Sequence, residues 1–121
     1  MDADISDKAG DQPIAGGGEA ILVLITASSQ EEADKIARSL VAERLAACVN
    51  IIPEVRSLFS WENKLCEEKE TLLVVKSRRL LFRQVVLRVK ALHSYTVPEI
   101  IAIPIVEGSA PYLQWIGEVT G

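Results

Sequence analysis

The apolar positions of this chain switch between two periods, and the switches mark its elements. Residues 20–25, Ala-Ile-Leu-Val-Leu-Ile, are apolar at every position and rich in strand formers, which predicts a first strand. Ser28 and Ser29 each have a glutamate three residues on, Glu31 and Glu32, as in a capping box. Ala33, Ile36, Ala37, Leu40 and Val41 then recur three and four apart, so a helix is expected from about 30 to 45. Two extended segments spanning 48–76 flank Trp61-Glu62-Asn63-Lys64, where Asn63 tolerates the left-handed backbone of a tight turn. Ser77 is expected to cap a second helix carrying Phe82, Val85, Val86, Val89 and Leu92. Residues 100–106 read as a last strand, placed at an edge or ending early because Pro104 donates no ladder hydrogen bond. Ser109 is positioned to cap a short final helix, with Pro111 in its first turn and Tyr112, Leu113 and Trp115 supplying apolar area.

The order βαββαβ predicts an α+β fold, a ferredoxin-like sandwich with a long β-hairpin and a short C-terminal helix. A sheet covered on one face should alternate apolar and polar residues, yet 20–25, 72–75 and 100–103 are apolar throughout. Two helices cover one face only. Self-association is therefore expected to bury the other, with the hairpin of 49–76 reaching a neighbour, and a closed ring is favoured over an open contact.

Composition narrows the function. A length of 121 residues with 49% hydrophobic content suits one folded domain, read as 19–121, behind a tail of residues 1–18. That tail carries Asp2, Asp4, Asp7 and Asp11 and then three glycines, without a basic start or an apolar stretch; it reads as disordered and not as a signal peptide. Thirteen basic against seventeen acidic residues give a net charge of -4, which removes the electrostatic basis for nucleic acid or an anionic membrane as partner. Cys48 and Cys66 form no Cys-x-x-Cys pair, and a reducing cytoplasm is the simplest setting.

Candidate chemistry gathers in the connection 92–101, which holds the only histidine, His93, together with Tyr95, Pro98 and Glu99. An imidazole and a carboxylate are ligands for copper or another divalent cation, but two make a weak site; Cys48, solvent or a neighbouring subunit would have to complete it. The plainer reading is that both side chains hold the loop through backbone hydrogen bonds. Trp61 and Tyr95 suit either a ligand cleft or an interface. A cleft between subunits lined by Trp61, Tyr95 and Glu99, with Lys76 or Arg79 nearby, could hold a small anionic ligand, and Pro98 and Cys48 belong to that cleft or to the subunit interface. Catalysis has little support: Gly-x-Ser-x-Gly, a P-loop and His-Glu-x-x-His are absent, and Cys48 with His93 is the one conceivable nucleophile and base pair. No organic cofactor is expected.

The segment 45–53, Leu-Ala-Ala-Cys-Val-Asn-Ile-Ile-Pro, the turn at 61–64 and the loop around His93 together resemble the CutA divalent-cation-tolerance family over about residues 20–119. The resemblance implies a cytoplasmic ferredoxin-like homotrimer, similar in shape to the trimeric PII signalling proteins, with a role in tolerance to copper and other divalent metals and no firmly attached reaction. His93, Tyr95, Pro98 and Glu99 match the family's His-Pro-Tyr-x-x-Pro-Glu pattern, whereas Ser94 stands where proline is usual. Asn63 replaces the usual turn glycine, and Cys48 keeps a common cysteine. Ile25 occupies the position where some members carry a copper-linked cysteine, so that thiolate is missing here. The expected function is divalent metal binding and tolerance without enzymatic activity; the alternative is a PII-like scaffold that holds a small ligand or partner protein between subunits.

Overall fold

Four antiparallel strands in the order β2-β3-β1-β4 form the sheet on which this chain is built. The structure is a computed structural model and describes residues 19–121, so the expected tail of 1–18 lies outside the described residues. The elements are β1 (Ala20–Ala27), α1 (Gln30–Ala42), β2 (Cys48–Trp61), β3 (Lys64–Arg78), α2 (Phe82–Leu92), β4 (Ile100–Pro104) and α3 (Ala110–Val119). This is the expected ferredoxin-like α+β arrangement with its long hairpin and C-terminal helix.

Residues one apart on a strand face opposite sides, and the two sides have different fates. Ile21, Val23 and Ile25 of β1 and Leu73 and Val75 of β3 are buried against Ala33, Ile36, Ala37 and Leu40 of α1 and Val85 and Val89 of α2. The other side carries Leu24 opposite Val74 and Ile101, Leu22 opposite Ile103, and Thr26 opposite Leu72. α3, the third helix, covers one end of it, packing Leu113 and Ile116 on Ala20 and Ala47. The remainder is partly open within one chain, with Ile101 and Ile103 50% and 46% exposed and Leu22, Leu24, Leu72 and Val74 half-buried.

Several boundaries differ from the periodicity. α1 stops at Ala42, three residues short of expectation, because Arg44 takes a left-handed φ of 61°. The Arg44 N–H then bonds to Val41 O at 3.1 Å and the Leu45 N–H to Leu40 O at 2.9 Å, which closes the helix in a Schellman motif with arginine where glycine is usual. Ser77 does not cap α2. It belongs to β3 and is fully buried, and its hydroxyl donates to Leu45 O at 2.6 Å; α2 instead follows a 3-10 turn, Arg79–Leu81, without any side-chain cap. Ser29 does cap α1, accepting from the Glu32 N–H, while Ser109 sits at the start of α3 without a side-chain bond. In the hairpin turn both Glu62 (φ 52°) and Asn63 (φ 64°) are left-handed, which matches strand twist through a two-residue connection. β4 is an edge strand ending at Pro104, two residues earlier than 106.

Candidate functional site

Three elements converge at the far end of β1. α2 ends at His93, which leaves the helix with extended backbone. Beneath it β1 finishes at Thr26 and Ala27, and alongside α1 begins at Ser29. The His93 side chain is wholly buried there. Its Nε2 lies 2.7 Å from Thr26 O, and its Nδ1 lies 3.0 Å from the Tyr95 backbone N. A carbonyl only accepts and an amide N–H only donates, so Nε2 carries the proton and Nδ1 is the acceptor. Both ring nitrogens are thus engaged by backbone.

Glu32 organises the same corner. Its carboxylate accepts from the Ser94 N–H at 2.9 Å, the Ser28 N–H at 3.1 Å and the Ser28 hydroxyl at 3.2 Å, and stands 3.6 Å from His93 Nδ1. Burial alone would raise its pKa, but the hydrogen bonds from Ser94 and Ser28 and the neighbouring His93 outweigh it and hold the carboxyl below its ordinary 4.5. The unfolded chain therefore binds the proton first as pH falls. Stability from Glu32 is complete above about pH 4.5 and is lost as pH drops through the lowered folded value. Glu32→Gln should make the acid limb of urea-unfolding stability shallower below pH 4.5; an unchanged limb would remove Glu32 from this role.

Tyr95 closes the cluster, its hydroxyl donating to Glu70 of β3 at 2.9 Å and its ring 4.8 Å from that of His93. Burial, the bond to Glu70 and the nearby Glu70, Glu68 and Glu32 charges push the phenol up to about 12. A shallow polar cleft of about 170 Å³ adjoins, lined by Ser28, Ser29, Gln30, Pro53, Glu54, Lys69, Glu70 and Thr71.

The other expected site residues lie elsewhere. Glu99 is exposed, and no hydrogen bond or ion pair joins it to His93; Pro98 is half-buried in the same loop. Lys76 is six residues from Glu70 along β3, roughly 20 Å at about 3.3 Å per residue. There it pairs with Cys48 across the ladder, its Nζ 4.0 Å from Cys48 Sγ and also donating to Asn50 Oδ1. Burial and then Cys48 raise the pKa of Tyr112 of α3. Trp61 stands at the hairpin tip, opposite Lys64 and 57% exposed, a similar distance from Glu70 in the other direction. Within one chain the cleft residues therefore occupy three places along β3. Cys48 lies opposite Lys76, which pairs with Leu22, whereas His93 lies over Thr26, so the two form no nucleophile and base pair. Arg79 is paired with Glu19 at 2.8 Å. Among the described residues no three His, Cys, Asp or Glu side chains are grouped to hold a metal ion, so the donors of one chain do not fit a resident metal.

Sequence reasoning did not find Glu32, Ser28, Thr26 or Glu70 as parts of this cluster. Ser28 and Glu32 were visible only as a helix-start signal.

The sequence model of a family described as CutA1 divalent ion tolerance protein matches residues 21–119. The divalent-cation tolerance protein CutA of Thermus thermophilus is 53% identical over 100 residues, 83% of this chain and 97% of that protein. A solved structure of the divalent cation tolerance protein from Thermus thermophilus superposes with a TM-score of 0.83 at 52% identity, covering 84% of this chain and 99% of that one. A structure from Archaeoglobus fulgidus, described as a periplasmic divalent cation tolerance protein, gives a TM-score of 0.82 at 45% identity over 84% of this chain and 99% of its own.

Proposed function

Because the chain belongs to the CutA1 divalent ion tolerance family, we propose that it is a homotrimeric, non-enzymatic metal-tolerance protein that binds copper or another divalent cation weakly. The observation that carries the assembly is the sheet's partly open apolar face, Leu22, Leu24, Leu72, Val74, Ile101 and Ile103, beside a hairpin that continues past the end of β1 to Trp61 and Lys64. A ring of copies buries that face and gives the hairpin something to grip. Trimer is the count implied by the resemblance.

Metal contact is proposed at His93 and Glu99 on the chemistry of an imidazole and a carboxylate, and in a weak form only, since the two do not meet within one chain. For His93 to ligate, the Tyr95 N–H must first release Nδ1, and a neighbouring subunit or solvent must supply further donors. A cytoplasmic setting is proposed on the free thiols of Cys48 and Cys66; among the described residues no helix is long and apolar enough to cross a membrane.

One observation favours a second reading, a PII-like scaffold. His93 uses both nitrogens to fix the loop, as a structural residue would, and Trp61, Tyr95, Pro98, Cys48 and Lys76 can share a cleft only between subunits. Calorimetric titration of copper into chelator-stripped protein separates the readings when run beside His93→Ala and Glu99→Gln, with oligomer mass recorded. Saturable binding lost in His93→Ala while the trimer persists is the expected result. Equal binding by wild type and His93→Ala would move the metal away from His93, and no binding by wild type would favour the scaffold.

A further inference from the structure

Charge is distributed unevenly along this chain, and α2 brings the imbalance to the surface. Between Glu70 and Glu99 there are six cations, Lys76, Arg78, Arg79, Arg83, Arg88 and Lys90, and no carboxylate, although acids outnumber bases overall. Arg79 is paired with Glu19 and Arg88 with Glu43, whereas Arg83 and Lys90 are exposed and make no ion pair with any described residue. Leu80 and Leu87 are 62% and 60% exposed beside them. The two leucines and the two cations each recur at seven residues, so Leu80, Arg83, Leu87 and Lys90 form one stripe with the spacing by which helices pair.

The stripe faces away from what the fold buries. Val85 and Val89 turn α2 onto the sheet, and Leu87 lies two positions from each, about 200° round the helix. The apolar face that the proposed ring closes is on the opposite side of the sheet, so the stripe stays open in one chain and in that assembly. The helix start adds to the positive field, because its first turn holds no acid and no side chain caps it.

Dimensions and charge together select an occupant. From Leu80 to Lys90 is about 15 Å at 1.5 Å per residue, matching about three turns of a partner helix. A helix is narrow enough to touch the stripe alone, whereas an anionic bilayer is an extended plane that also meets the surface beyond it, on a chain of net charge -4. A second copy of this chain lacks the complementary helix. In α1 Asp34 is held by Arg38 and Glu32 by Ser28 and Ser94, and α3 has Glu118 alone. We propose that the stripe is a docking surface for an acidic amphipathic helix of another protein, whose aliphatic side chains meet Leu80 and Leu87 and whose carboxylates pair with Arg83 and Lys90. Two exposed ion pairs and two leucines make a weak, reversible contact, suited to a transient partner.

A labelled synthetic peptide of about 15 residues, with leucines spaced to match Leu80 and Leu87 and glutamates beside them, is the probe. Fluorescence anisotropy follows its titration with the full chain. Saturable binding is expected, weakened about tenfold in Arg83→Glu and likewise in Leu80→Ser with Leu87→Ser. A version with lysine in place of glutamate should bind less tightly, even though the net charge of -4 attracts it. The substituted residues are exposed, so the variants keep the fold, which circular dichroism verifies; Val41→Ser on α1 is the control that leaves affinity unchanged. Absence of binding, equal affinity in wild type and both variants, or preference for the lysine version would overturn the proposal. So would binding of wild type to phosphatidylserine vesicles in place of the peptide, which would assign the stripe to membranes. A rise in mass with concentration that Arg83→Glu abolishes would overturn it too, in favour of a second copy.

Discussion

Val74→Asp is expected to leave the chain folded and to reduce its mass in solution from that of a trimer to that of one 13.2 kDa chain at micromolar concentration. Val74 lies in β3 on the side away from α1 and α2, with Leu24 directly opposite and Ile101 one strand beyond. In an isolated chain Val74 is half-buried on the side away from the helices, so a carboxylate there still reaches water. In an assembly that buries the face it is an unpaired charge among aliphatic side chains, with a penalty of several kcal/mol per ion. Even about 3 kcal/mol per subunit weakens each contact roughly a hundredfold. Val41→Asp on the exposed side of α1 is the control and should leave the mass unchanged. Sedimentation velocity decides: a Val74→Asp trimer, or a wild-type monomer, would contradict the proposed assembly.

Arg78→Ala should lower stability by about 3–6 kcal/mol, from two hydrogen bonds of a charged donor to Thr120 at roughly 1.5–3 kcal/mol each. Arg78 ends β3 with only 4% of its surface exposed. Its Nε donates to Thr120 Oγ1 at 2.9 Å and its Nη2 to Thr120 O at 2.8 Å, and the Thr120 hydroxyl donates onward to Ile116 O at 2.6 Å. Arg44 adds a bond to Glu118 O at 3.2 Å. These contacts secure α3 over Ala20 and Ala47. Truncation should therefore show a lower denaturation midpoint and faster amide exchange across 110–120, with β1 protected relative to α3. Arg78→Lys keeps the charge without the planar fork and should fall between the two. A midpoint within the error of wild type would show that α3 is held by its apolar contacts alone.

The two predictions concern the same side of the sheet, which has two coverings of different kinds. α3 covers one end through contacts inside the chain. The rest waits for other copies under the proposed reading, and the metal and scaffold hypotheses both depend on what that assembly brings near His93, Trp61 and Lys76.

How much of this was legible in advance depends on the range of the interaction. The helical spacing of Ala33, Ile36, Ala37 and Leu40 and of Val85 and Val89 marked the buried stripes of α1 and α2 correctly. The tight turn at Asn63 was legible because its preference is local, though Glu62 shares the left-handed geometry. Ser77 misled because a serine before a helical pattern looks the same whether it caps a helix or ends a strand; its partner, Leu45 O, lies 32 positions away. The end of α1 was missed for a related reason, since arginine gives no outward sign that it will adopt a left-handed backbone. At the site, His93, Tyr95 and Glu99 attracted notice as chemistry-bearing side chains in one loop. Their actual partners are distant in sequence: Thr26 is 67 positions from His93, Glu32 is 62 from Ser94, and Glu70 is 25 from Tyr95.

The sequence alone determined the order of elements, the α+β class, the apolar character of both sheet faces and the family resemblance, because periodicity, turn chemistry and short motifs are written in neighbouring residues. Only the tertiary structure decided that a third helix covers one end of the second face and that Glu32 and Glu70 join the loop. It also decided that both nitrogens of His93 are taken up by backbone. Those outcomes depend on which strands pair and in what register, and a residue's own neighbours in the chain carry no record of the partner that packing will bring to it.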